Sequence, residues 1–99
     1  MSNYRLKLYK TYYFKGFFNV PVDFDRFVNA EEGIITLKLG HDKLVKGRIN
    51  RKANNNATPR IHGNRELRDW FMENFKIMDE VNVRFVDLNT IHLSIPKTS

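Results

Sequence analysis

Four short runs of the sequence alternate with a period of two. Ile35, Leu37 and Leu39 are separated by Thr36 and Lys38. Val45 and Ile49 are interleaved with Lys46, Arg48 and Asn50. Val81, Val83 and Phe85 enclose Asn82 and Arg84, and Ile91, Leu93 and Ile95 enclose His92 and Ser94. A period of two is that of a strand with one face in a core and the other in water. The breaks "HD" (41–42) and "DLNT" (87–90) are short enough to demand hairpins, hence antiparallel neighbours. This pattern commits four segments to short strands on one core.

The remaining segments fit around them. "YRLKLYKTYYF" reads as a first strand with Tyr4, Leu6 and Leu8 on one face, and "FFNVP" as a short second strand ended by Pro21. "RIHG" reads as a short returning strand. Two stretches have helical spacing instead. Val20, Phe24, Phe27 and Val28 share one face, with Asp23 to cap the start and Gly33 to stop it. Leu67, Trp70, Phe71 and Phe75 share another, with Asn64 as N-cap. The predicted order is β-β-α-β-β-β-α-β-β. This is a mainly β protein with two short helices, its seven strands curled into an open barrel that the helices close at the ends.

A chain of 99 residues supports one domain, residues 1–99. The absence of cysteine excludes disulfides, thiol catalysis and the cysteine-based zinc sites. No apolar run approaches the roughly 20 residues of a membrane helix, and "MSNYRLKLYK" lacks a signal-peptide core. The expectation is a soluble cytoplasmic protein with no membrane partner, associated with the nucleoid if the source is bacterial.

Charge is distributed unevenly. The net charge is +6, and two acid-free segments carry all of the excess. Residues 1–22 hold four cations, and residues 43–65 hold seven: Lys43, Lys46, Arg48, Arg51, Lys52, Arg60 and Arg65. The intervening and following segments are net negative. If the two basic segments fold onto one face, they form the footprint of a polyanion-binding protein. The second is also rich in asparagine, at Asn50, Asn54, Asn55 and Asn56. Arginine pairs bidentately with guanine or phosphate, asparagine with adenine, and lysine neutralises phosphate. On a two-stranded ribbon these side chains can enter a major groove. The first segment, "YKTYYFKGFFN", adds Lys10, Thr11, Tyr12, Tyr13, Lys15 and Asn19, types that bond or neutralise phosphates. The contrary reading is a pair of solvated surfaces, the second a mobile polar loop.

No constellation for catalysis stands out. His41, His62 and His92 lie in three separate elements without metal-ligand spacing. His41 falls in a turn, His92 on the exposed phase of the last strand, and His62 alone lies near the basic loop. Asp23 and Asp25 fit a helix start, and Asp79 and Glu80 a turn. There is no nucleophile elbow, phosphate-binding glycine loop or metalloprotease helix. The chain is therefore expected to have no catalytic residues, no metal and no cofactor.

The segments "FFNVPVDFDRFV", "GIITLKL", "KLVKGRINR" and "PRIHGNRELRDWFMENFKIMDEVNVRFVDLNTIHL" together resemble the DNA-binding pseudobarrel family. That family includes plant B3-type domains and the effector domains of EcoRII-type restriction endonucleases, and the likeness is closest to the bacterial, restriction-enzyme-associated branch. The family's usual glycine-aspartate turn is replaced here by Met78-Asp79. The resemblance implies a seven-stranded pseudobarrel that grips the major groove of double-stranded DNA with two arms, about Lys10 to Asn19 and about Asn50 to Arg60. These coincide with the two acid-free segments. Base edges would then be read by Arg48, Asn50, Arg51, Asn54, Asn55 and Arg60, with Asn56 and His62 beside them. Phosphates would be held by Lys10, Lys15, Lys46, Lys52 and Arg65, aided by Thr11, Tyr12, Tyr13 and Asn19. The resemblance also implies a nuclease domain or subunit as a partner. Two alternatives stay open: binding of single-stranded DNA or RNA through the aromatic first segment, and a protein-interaction module for a nuclease subunit.

Overall fold

The computed structural model describes residues 2–97. The chain forms β1 (Asn3–Lys7), α1 (Lys10–Lys15), β2 (Phe17–Asn19), a 3-10 helix (Val22–Phe27), β3 (Gly33–Leu39), β4 (Lys43–Asn50), β5 (Arg60–His62), α2 (Asn64–Asn74), β6 (Glu80–Asp87) and β7 (Thr90–Ser94). The seven strands make one curled sheet in the order β1-β6-β7-β3-β4-β5-β2. It is mainly β, an open half-barrel with short helices, as the alternating runs predict. The β3–β4 and β6–β7 hairpins are antiparallel, as their short turns require. Among the described residues, only β3 and β7 pair in parallel, with Leu37 opposite Ile91 and Leu39 opposite Leu93. That pairing joins the two hairpins into one sheet and brings four core-facing runs onto the same side.

The core follows the alternation. Ile35, Leu37, Leu39, Val45, Ile49, Val81, Val83, Phe85, Ile91 and Leu93 are buried, together with Leu6, Leu8, Phe18 and Ile61 from the short strands and their ends. Burial of a leucine, isoleucine or phenylalanine side chain contributes about 1.5–3 kcal/mol each. Ile95 departs from the pattern, because β7 ends at Ser94 and leaves it 57% exposed.

The two ends of the half-barrel close differently. At the end where β6 begins, α2 inserts Leu67, Trp70, Phe71 and Phe75. At the end where β6 finishes, the 3-10 helix stacks Phe24 and Phe27 on Phe85, with Tyr4 joining Phe24 and Phe85.

Three local expectations need correction. The first basic segment is not one long strand: β1 ends at Lys7, and "KTYYFK" is a helix. Tyr9, Tyr12, Tyr13 and Gly16 fall at i, i+3, i+4 and i+7. The Tyr13 hydroxyl donates to Phe75 O at 3.1 Å, and Gly16 caps the helix in the left-handed region at φ 72°. Tertiary packing overrides the strand preference of tyrosine and phenylalanine. The second correction concerns the first predicted helix. It is a short 3-10 turn that ends at Phe27, well before Gly33; it begins after Pro21, and Asp23 makes no capping bond. The third concerns α2, where Gly63 occupies the N-cap position without a side-chain cap bond. Asn64 sits inside the first turn at φ 54°, a conformation asparagine tolerates.

Candidate nucleic-acid interface

The registers of β2, β5, β4 and β3 set out the face turned away from the core. Phe17 lies opposite His62, His62 opposite Arg48, and Arg48 opposite Ile34. One step along, Asn19 lies opposite Arg60 and Arg60 opposite Asn50. Lys46 pairs with Thr36 on the same side. Among the described residues, the solvent-facing phase of these four strands carries no carboxylate. Lys46 and Arg48 are exposed, and Asn19, Asn50, Arg60 and His62 are half-buried.

Parts of the two basic segments, α1 and the 51–59 loop, flank this face at opposite ends of β2. α1 precedes Phe17, and the 51–59 loop joins the far end, where Val20 N donates to Pro59 O at 2.9 Å. An open groove of about 400 Å³ lies between them. Tyr12 of α1 lines one side, Asn54 and Asn56 of the loop the other, with Asn19 between. Lys10, Thr11 and Lys15 are exposed on α1. Tyr12 rests edge-on against Phe17, with ring centroids 5.6 Å apart. The hydroxyl of Tyr13 is spent on Phe75 O, so Tyr13 serves the fold.

Arg60 is held in place by two contacts. Its guanidinium lies 4.5 Å from the Phe17 ring centroid, and its Nε donates to Asn19 Oδ1 at 3.0 Å. Among the described residues, its two terminal nitrogens have no hydrogen-bond acceptor, so the outer fork is available for a bidentate partner. His62 packs against the same Phe17 ring, centroids 5.6 Å apart. Burial, and then the Arg60 guanidinium, hold the His62 imidazole below its usual range and favour the neutral ring.

Arg51 sits where the sequence reading did not expect it. Its side chain is only 15% exposed, and all five of its N–H donors are used. Nε and one terminal nitrogen donate to Asn29 O at 3.1 and 2.8 Å, and that terminal nitrogen also donates to Val28 O at 3.1 Å. The other terminal nitrogen donates to Asp25 Oδ1 at 2.5 Å and Ala57 O at 3.3 Å. Arg51 N donates to Glu32 Oε2 at 2.7 Å. This residue ties the loop to the segment after the 3-10 helix, and Asp25 and Glu32 are consumed in doing so.

The asparagines divide in a similar way. Asn50 Oδ1 accepts from Lys52 N at 2.8 Å and Ala53 N at 3.1 Å, a side-chain turn that bends the chain out of β4. Asn56 Oδ1 accepts from Thr58 N and Thr58 Oγ1. Asn54 Nδ2 donates to Asn19 Oδ1 at 3.1 Å and to Thr58 O at 3.2 Å. These three build the loop. Asn55 is exposed at its tip and, among the described residues, makes no side-chain hydrogen bond. Lys52 lies past the end of β4 with its side chain 88% exposed, 4.0 Å from Glu32. Arg65 is exposed on the first turn of α2.

The structure thus gathers Arg48, Lys46, Arg60, His62 and Asn19 on one face, with α1 and the 51–59 loop at its margins. It withdraws Arg51 and Tyr13 into the fold. Phe17, the ring on which Arg60 and His62 both rest, is not among the site residues expected from the sequence. Its alternation with buried Phe18 was the available signal. Among the described residues, no group of three or more histidine or carboxylate side chains is arranged to hold a metal ion, and no helix is long and apolar enough to cross a membrane. Compared with known proteins, the chain matches no family model, no curated protein and no solved structure.

Proposed function

We propose that this protein is a non-catalytic, sequence-specific double-stranded DNA-binding domain that grips the major groove between two basic arms. The observation that carries this reading is the carboxylate-free, cation-bearing face of β4, β5 and β2, flanked at its two ends by α1 and the 51–59 loop. Arg48, the outer fork of Arg60 and Asn55 are the base readers, since their donors are uncommitted. Lys10, Lys15, Lys46, Lys52 and Arg65 neutralise phosphates, with Thr11 and Tyr12 adding hydroxyl contacts. Arg51, Asn50, Asn54 and Asn56 shape the second arm, and Asn19 aims Arg60. The resemblance to DNA-binding pseudobarrels supports the same two arms. In that setting the domain acts as the target-recognition module of a restriction endonuclease, delivering a site to a nuclease domain or subunit.

Fluorescence anisotropy with a duplex pool, its single strands and an RNA of equal length tests the class. Duplex should bind tightest, with affinity falling steeply with salt, by roughly 0.9 log unit per log unit of salt for each phosphate contact. Tighter binding of the single strands would instead favour the aromatic first arm as a stacking surface.

A further inference from the structure

A second groove lies away from the two arms, at the end of the sheet where α2 packs. It has a volume of about 850 Å³ and runs between the β3–β4 turn, the last residues of β7 and the outer phase of β1 and β6. Ligand pockets commonly measure about 300–1,000 Å³. Four cations line it (Arg5, Lys43, Arg84 and Lys97) against one carboxylate, Asp42. Arg5 reaches Glu80 at 3.7 Å, while Lys43, Arg84 and Lys97 have no carboxylate within 4.0 Å among the described residues. Arg84 is the unusual member. It is half-buried, and its Nε–H is shielded from solvent without a protein acceptor among the described residues. A shielded donor in that state is costly to a fold. Trp70 touches the groove but is only 7% exposed, so it borders the groove with a small part of its ring.

The groove is also fixed in shape. His92 Nε2 donates to Gly40 O at 2.7 Å, which ties the β3–β4 turn to β7. Asn82 Nδ2 donates to Ser94 Oγ at 3.3 Å across the floor. A cleft with surplus cations suits a small body that carries several negative charges.

We propose that this groove binds a small phosphorylated ligand of nucleotide size, its phosphates on Arg84, Lys43 and Lys97 and its base beside Trp70. The proposal is independent of the duplex reading, because none of these residues belongs to the two arms or the face between them. The phosphates could equally come from a DNA backbone, so the test separates the two sources. Amide and indole NMR spectra of the protein are titrated with ADP, with inorganic pyrophosphate and with a DNA duplex. ADP should shift the Trp70 indole and the Gly40 and His92 amides saturably, with Kd below about 1 mM, and leave residues 51–59 unmoved. Pyrophosphate should move the same amides but not the indole. Arg84→Gln and Lys43→Gln should each weaken ADP about tenfold and leave duplex binding unchanged. Lys43 is exposed, so its variant remains informative if Arg84→Gln fails to fold. The proposal is overturned if ADP produces no saturable shift, if both variants bind ADP like the parent, or if duplex displaces ADP from the groove.

Discussion

At the scale of single residues, the interface is divided between side chains that support and side chains that face outward. Arg51 is the clearest support, since an arginine with every donor used by carbonyls and a carboxylate is no longer free to read a base. Its loss strands Asn29 O, Val28 O and Asp25 together. Arg51→Ala should therefore destabilise the fold by about 2–4 kcal/mol in urea unfolding, and Arg51→Lys should recover only part, because one ammonium cannot reproduce a five-donor fork. Arg60 should behave in the opposite way. Arg60→Ala is expected to cost about 1–3 kcal/mol in duplex affinity and to relax preference at one base pair, with a smaller loss of stability than Arg51→Ala. His62 adds a pH dependence. Its folded-state pKa is lowered, so below the ordinary imidazole value the unfolded chain binds the extra proton more readily than the folded one. Stability should be fullest above about pH 6.5 and fall as pH drops through the lowered folded value. His62→Gln should flatten that slope in a series of unfolding curves at different pH.

At the scale of elements, alternating hydrophobicity carried most of the fold. β3, β4, β6, β7 and α2 were legible because burial on one side imposes a period that short-range sequence shows directly. The first arm was not. Its tyrosines and phenylalanines favour strands, and what makes it helical lies elsewhere in the chain: α2 receives Tyr13, and Gly16 turns the backbone. Gly16 O accepts from both Gly63 N and Asn64 N at 2.9 Å, and a Cβ on Gly16 would come within 2.1 Å of Asn64 O. Gly16→Ala combines a left-handed backbone with a collision against α2. It should cost more than about 3 kcal/mol and detach the first arm, visible as lost amide protection in α1. Met78 offers the converse test. It holds φ 76° in the turn before β6, where Lys76 N donates to Asp79 Oδ2 and Met78 N to Leu8 O. Met78→Gly should raise stability by about 1 kcal/mol, because glycine adopts that conformation without steric cost.

At the scale of the whole molecule, the charge asymmetry of the sequence becomes an arrangement in space. Parts of two acid-free segments far apart in the chain, α1 and the 51–59 loop, lie at the two ends of the short strand β2, and among the described residues β2, β5 and β4 turn a carboxylate-free face outward. The two acid-free segments could be read from the sequence before folding. The roles of their side chains could not, because what an arginine or asparagine does depends on which distant carbonyls and carboxylates it meets. Arg51 finds Asp25, and Asn54 finds Asn19. The central claim is sequence-specific recognition of duplex DNA across this face. It is tested most directly by selecting bound duplexes from a random pool with the parent protein and with Arg48→Ala. The parent should enrich one motif, and the variant should lose preference at a subset of its positions. A pool that shows no enriched sequence, or a motif unchanged by Arg48→Ala, would contradict it.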